Sequence, residues 1–335
     1  MQLLHSATRN YSWGSRTLIP HLQGQPDADK PIAELWFGAH PGDPSTVDDR
    51  LLNEVIAEDP AGQLGSRVSA EYGERLPFLL KVLAAEEPLS LQAHPSKSQA
   101  EEGFARENAS GIELTASNRN YKDDNHKPEL IVALTDFYAM AGFRPLAQTR
   151  ELFAALGCPE LDHYVAMLDD DPSAATESAN LRVLFTTWIT IPSAKRKELI
   201  GAIIAAGERL ISADADDWKS RVMSTVLDLN QRYPGDIGVL GALLLNHIEL
   251  SPGEAVYLDA GQLHAYVSGL GVEIMANSDN VLRGGLTPKF VDVPELVKVL
   301  TYAAAEEPRV QQQDKSAQDN VHEAAAWSYP VPIDE

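Results

Sequence analysis

Hydrophobic periodicity changes twice along this 335-residue chain, and that change limits the folds open to it. Up to residue 96 the apolar residues come in short runs, Ile32-Ala33-Glu34-Leu35-Trp36-Phe37 and Leu76-Pro77-Phe78-Leu79-Leu80-Lys81-Val82-Leu83. Runs of that length between Gly, Pro and Asp read as buried strands. Across 146–232 the repeat becomes helical. Leu199, Ile203 and Leu210 share a face with Ile200 and Ile204 beside them, behind the start signal Pro192-Ser193. Trp218, Val222, Val226 and Leu229 form a second stripe. From Ile248 strand patterning returns, with Pro252-Gly253-Glu254 turning into Ala255-Val256-Tyr257-Leu258. That order gives a mainly β architecture with an α insertion. The expected division assigns 1–96, 121–145 and 240–335 to the β domain, 97–120 to a short helical excursion, and 146–239 to the helical insertion. The polar stretch 309–320 reads as a mobile linker.

Charge narrows the partners. Lys and Arg number 27 against 49 Asp and Glu, a formal charge of −22. Nucleic acid and anionic membrane surfaces need basic contacts, so neither is expected as a partner. An anionic small molecule would have to be captured by a local cluster of Lys and Arg. No apolar run is long enough to span a bilayer, and the first residues lack the basic start and apolar stretch of a signal peptide. Cys158, the one cysteine, can neither close an internal disulfide nor build a thiolate metal site. The cytoplasm is the expected location.

Four segments hold side chains that could do chemistry. In Pro88-Leu89-Ser90-Leu91-Gln92-Ala93-His94-Pro95, strand alternation points Ser90, Gln92 and His94 one way and the apolar residues the other. That row is either the wall of a lined cavity or the wet face of an edge strand. In Asn125-His126-Lys127-Pro128-Glu129, Pro128 forbids a helix interior, and an extended chain puts Lys127 and Glu129 on one face. They pair with each other, or Glu129 meets a metal and Lys127 a substrate anion. The run Ser251 to Tyr266 closes on a glycine turn, Gly261, followed by His264 and Tyr266 on a shared face. His264 is then a ligand or a satisfied core histidine. Finally, Gly284-Gly285 lies between Arg283 and Lys289, one of few basic clusters in an acidic chain. It is either an exposed salt-bridged loop or an anchor for phosphate, which guanidinium binds bidentately. Two nitrogens and two oxygens from Gln92, His94, Glu129 and His264 would suit zinc or a similar divalent ion. Spacing alone names no reaction.

Longer matches do. Asn10-Tyr11-Ser12-Trp13-Gly14, Ala33-Glu34-Leu35-Trp36-Phe37-Gly38-Ala39-His40-Pro41, Leu91-Gln92-Ala93-His94-Pro95, Asn125-His126-Lys127-Pro128-Glu129 and Ser278-Asp279-Asn280-Val281-Leu282-Arg283-Gly284-Gly285-Leu286-Thr287-Pro288-Lys289 follow one another over roughly the first 300 residues. In these the chain resembles type I phosphomannose isomerases, within the cupin superfamily. The resemblance implies a cupin-like jelly-roll β-barrel with an inserted helical domain. It implies one zinc per chain on Gln92, His94, Glu129 and His264. The implied reaction interconverts mannose 6-phosphate and fructose 6-phosphate through a cis-enediol, in a monomer acting on a small sugar phosphate. The family's catalytic positions fall on Arg283, Lys127, Glu273 and Asp279, and its substrate-binding positions on Ser90, Lys81, Tyr266 and Lys289. The proton carrier is open among Glu273, Asp279, Lys81 and Lys127. Family members usually continue past Glu335, so their last β unit is expected to be missing. Two rivals remain at this point. A metal-dependent cupin oxygenase would want a His-rich site, and a non-catalytic sugar-binding cupin would not need this concentration of Lys and Arg.

Overall fold

The computed structural model describes residues 2–171, 173–213, 217–305, 308–314 and 327–332. Eleven strands join in one hydrogen-bonded sheet organised around the long strand His264–Ala276. From Gly269 onward this strand pairs antiparallel with Phe78–Ala85 on one side, and over Gly271–Met275 with Glu129–Ala133 on the other. Before the glycine it pairs with Phe137–Phe143, and His264 also sits opposite Gln92 of Leu91–Ala93. The turn from one half to the other falls at Gly269, with φ 124. A Cβ there would stand 2.7 Å from the Asp136 carbonyl oxygen and 2.8 Å from Phe137 Cα, so only glycine lets the two halves approach.

The first half extends through Glu34–Gly38 to Ala7–Arg9, and through Ala255–Leu258 to Arg309–Val310. The second adds Leu245–Leu250 and Leu282–Gly285. Side chains from both halves meet between them: Leu83, Ile131, Phe137, Ile248, Leu250, Val256, Leu258 and Tyr266 form one buried cluster. Burying each large apolar side chain is worth roughly 1.5–3 kcal/mol, which holds the halves face to face.

The helices Leu146–Leu156, Pro159–Val165, Ala174–Ile189, Ser193–Ala213, Trp218–Arg232 and Ile237–Ala242 follow as the insertion. Leu199, Ile200 and Ile203 are buried, as are Val222, Val226 and Leu229, while Ile204, Leu210 and Trp218 are partly covered. Their cluster is continuous with Leu91, Ala93, Leu263 and Leu282. The helices therefore brace the strands of the second half from behind. The fold is mainly β with a helical insertion. The excursion holds one helix, Lys97–Ala109, started by a capping box between Ser96 and Gln99. No helix among the described residues is long and apolar enough to cross a membrane.

Two features differ from the sequence reading. The helices Leu52–Glu58 and Pro60–Tyr72 interrupt the first ninety-six residues; the second is broken at Gly65 (φ 81), and its short stripe of Leu64, Val68 and Tyr72 is only half-buried. The linker expected at 309–320 is corrected as far as residue 314. Arg309–Val310 pairs with Ala255 and Val256, and Gln313–Asp314 with Trp327–Ser328. Backbone pairing needs no apolar side chain, which is why polarity misled. Residues 315–320 lie outside the described residues.

Candidate metal centre

Four side chains converge where the two halves meet. Cross-strand partners point the same way, and Gln92 sits opposite His264 on one side and Arg283 on the other. His264, Gln92 and Arg283 thus form a row across three strands. His94 and Glu129 complete the group, and the ligand atoms of His94, Glu129 and His264 lie within 4.8 Å of one another. All three residues are buried.

The imidazoles are oriented by backbone carbonyls. His94 Nδ1 lies 2.7 Å from the Asn280 carbonyl oxygen, and His264 Nδ1 lies 2.9 Å from that of Gln262. A carbonyl only accepts, so both rings carry their proton on Nδ1 and turn the Nε2 lone pair inward. There, His94 Nε2 stands 3.3 Å from Glu129 Oε1 and His264 Nε2 stands 3.3 Å from Oε2. Lone pair faces lone pair, so no hydrogen bond forms; His94 Nε2 and Glu129 Oε2 are buried without a hydrogen-bond partner. A proton does not resolve this, because burial pushes His94 down to about 4. Burial alone would raise the Glu129 carboxyl, but the Lys127 ammonium outweighs it and holds it well below the usual range. A divalent cation fits between the two Nε2 atoms and an ionised carboxylate. The Gln92 amide nitrogen lies 3.4 Å from His264 Nε2; turned over, the amide would present its oxygen at that point.

The group opens into a cavity of about 180 Å³ lined by Glu34, Trp36, His40, Lys81, Lys127, Tyr266, Glu273, Ser278 and Asp279, among others. Lys81 donates to Glu273 Oε2 at 2.8 Å and stands 3.6 Å from Glu34 Oε1. Tyr266 donates its hydroxyl to Glu273 Oε1 at 2.8 Å. Lys127 Nζ lies 2.8 Å from Glu129 Oε1. Burial opposes the charge on Lys81, yet Glu273, Glu34 and Glu129 together hold it cationic. Burial raises the Glu273 carboxyl, with Glu129 adding to it and Lys81 opposing. The four carboxylates Glu34, Glu129, Glu273 and Asp279 against the two ammoniums Lys81 and Lys127 leave two negative charges in this wall, which a dication would balance.

Residues 1–146 match the family described as phosphomannose isomerase type I, catalytic domain. The mannose-6-phosphate isomerase of Escherichia coli K12 is 39% identical over 343 residues, covering 100% of this chain and 82% of that protein. The chain belongs to the type I phosphomannose isomerase family. The human mannose-6-phosphate isomerase is 37% identical over 322 residues, covering 89% and 72%. A zinc-bound crystal structure of mannose 6-phosphate isomerase aligns with TM-score 0.84 at 36% identity, over 99% of this chain and 81% of that one.

Within this family member, not every residue singled out in the sequence reaches the cavity. Gln92, Lys81, Lys127, Glu129, Tyr266, Glu273 and Asp279 line it. Ser90 is half-buried and is not among the lining residues, because the strand begins only at Leu91. Arg283 is half-buried beside Gln92, and Lys289 lies exposed beyond the strand. Burial holds the Arg283 guanidinium below its ordinary value, and burial, then Arg283 and Lys122, does the same for Lys289. Neither has an acidic partner among the described residues. Three contributors escaped the sequence reading. Glu34 accepts from the Trp36 indole at 2.8 Å as well as facing Lys81. His40 packs edge-on against Trp36 and stands 3.5 Å from Asp279 Oδ1 at the cavity mouth. Asn280, fully buried, donates to the carbonyls of Asp123 and Asn125 while its own carbonyl orients His94. The one charged residue in the run Ile32 to Phe37 was the available signal for Glu34.

Proposed function

We propose that the chain interconverts mannose 6-phosphate and fructose 6-phosphate, the activity for which its relatives are named. What carries the proposal is the meeting of a cation-ready trio, His94, Glu129 and His264, with a buried Lys81–Glu273–Tyr266 network on one small cavity. Zinc is the assigned metal, with Gln92 as a fourth ligand; bound there it would polarise the sugar's C1 and C2 oxygens and hold enediolate charge.

The remaining work falls to the chain's own groups. Glu273, a carboxyl whose proton affinity burial raises, is the proton carrier between C1 and C2. Its two hydrogen bonds fix its direction, and Lys81 supplies positive field beside the developing charge. Lys127 keeps Glu129 ionised and so able to ligate. Asp279 sits at the cavity mouth against His40, placed to receive a sugar hydroxyl. Arg283 and Lys289, cations without acidic partners, take the phosphate end, where guanidinium geometry suits a dianion. A binding module would have no use for buried acid–base groups beside the metal. We also read the chain as a cytoplasmic monomer, consistent with its acidic charge and its single buried cysteine.

The test is a coupled assay for fructose 6-phosphate formed from mannose 6-phosphate, before and after chelation and with zinc restored. Chelator-sensitive, zinc-restored turnover is expected. A folded chain without it would overturn the assignment.

A further inference from the structure

The strand that carries Arg283 ends in backbone that its own sequence does not favour. Gly285 has φ 134 and Leu286 φ 54, and a leucine stays in the left-handed region only where its surroundings hold it. Here the helical insertion supplies those surroundings. Asp236 Oδ1 accepts the Leu286 N–H at 2.7 Å and the Gly238 N–H at 2.7 Å. The junction is close-packed on both sides. A Cβ on Gly285 would stand 2.6 Å from Gly238 Cα and 2.7 Å from Asp236 Oδ1, and one on Gly238 would stand 2.7 Å from Leu286 N. The Leu286 side chain is buried in the core shared by the helices and the second half of the sheet. Meanwhile the ladder is irregular at this point: its register against Leu91–Ala93 shifts between Arg283 and Gly285. Strand pairing alone therefore leaves slack in how Arg283 departs from the sheet, and the anchored turn takes it up.

We propose that Asp236 is a positioning residue for Arg283. Its carboxylate, contributed by the insertion from fifty positions earlier in the chain, pins the Gly285–Leu286 backbone and so aims the guanidinium along the row that holds Gln92 and His264. The Asp236 carboxylate is taken up by the Leu286 and Gly238 N–H groups, so it acts through Arg283 and not on the substrate. The inference rests on the reading of Arg283 as a substrate-contacting group.

A double-mutant cycle tests it, using Asp236→Ala, Asp236→Asn, Arg283→Ala and the Asp236→Ala/Arg283→Ala pair, each with zinc content and thermal midpoint measured. Asp236→Ala is expected to lower kcat/KM by roughly tenfold to a hundredfold with zinc retained, since small misplacements of a binding group cost that much. Asp236→Asn keeps an acceptor oxygen and is expected to restore most of that loss. In the Arg283→Ala background, Asp236→Ala should cost almost nothing more, because the group it aims is gone. The same loss in both backgrounds would mean a merely structural role and would overturn the proposal, as would full activity in Asp236→Ala. Wild-type turnover in Arg283→Ala would overturn the reading of Arg283 itself, and this inference with it. If Asp236→Ala does not fold, Asp236→Ser takes its place with the same outcomes, keeping a helix-capping oxygen on an arm too short for Leu286.

Discussion

Glu273, fully buried, and His247, half-buried, are both titratable groups, yet they have different consequences. Glu273 faces the cavity between Tyr266 and Lys81. Glu273→Gln keeps the shape and removes the proposed proton carrier, so turnover should fall by roughly 10²–10⁴ with zinc content unchanged. Incorporation of solvent deuterium at C1 and C2 should fall in parallel, and wild-type exchange would remove Glu273 from the role. Gln92→Ala should weaken zinc binding without abolishing it, measured by competition against a chromophoric chelator; His94→Ala should lose far more, since it leaves Glu129 unmatched as well. His247 lies away from the metal group, its Nε2 on the Ala242 carbonyl oxygen at 2.9 Å, and burial holds it down to about 4 against an ordinary 6.5. Between those values the unfolded imidazole takes up a proton that the folded one refuses. Stability from this group is thus intact above about pH 6.5 and lost as pH falls toward 4. His247→Gln should remove about 2 kcal/mol of the difference between urea unfolding at pH 7 and pH 5. An unchanged difference would mean another group carries it.

At the scale of elements, the helix Lys97–Ala109 props the segment that delivers Lys127 and Glu129. Glu107 accepts from the Tyr121 N–H at 3.0 Å, and Tyr121, fully buried, donates its hydroxyl to Glu295 at 2.7 Å. Gly103 of that helix lies against the Tyr121 ring, where a Cβ would come within 2.5 Å of the ring carbons. Gly103→Ala should therefore destabilise by about 1–3 kcal/mol despite its better helix propensity, read from denaturant midpoints. An increase in stability would show that the ring moves freely. Elements also mark how far the sequence could be read. Period two placed Tyr266 with His264 and Gln92 toward the cavity, since these residues lie on strands. It failed for Ser90, which precedes the three-residue strand, and it missed Glu34, His40 and Asn280. Those three depend on which strand or loop lies opposite, and no local pattern records that. The helical insertion was legible because its stripes are long and regular. The helix Pro60–Tyr72 was not, because Gly65 breaks it and its short stripe of Leu64, Val68 and Tyr72 is only half-buried.

The whole molecule is one acidic body, at −22, around a wall that mixes four carboxylates with two ammoniums. A dication at the trio is the term that balances this wall, so metal and fold should be thermodynamically linked. Zinc at a thousandfold excess over its dissociation constant should add about 4 kcal/mol to unfolding, and removal by chelator should lower the thermal midpoint by several degrees. Equal midpoints with and without zinc would place the ion elsewhere. The strand His264–Ala276 gives this linkage a kinetic form. It holds His264 of the proposed metal trio at one end, Glu273 near the other, and hydrogen-bonded neighbours on both flanks. Such a strand cannot fray locally while the site stays intact. Its amide hydrogens should exchange with solvent only when the entire molecule opens, and loading the metal should slow those amides together, in a single step, instead of residue by residue.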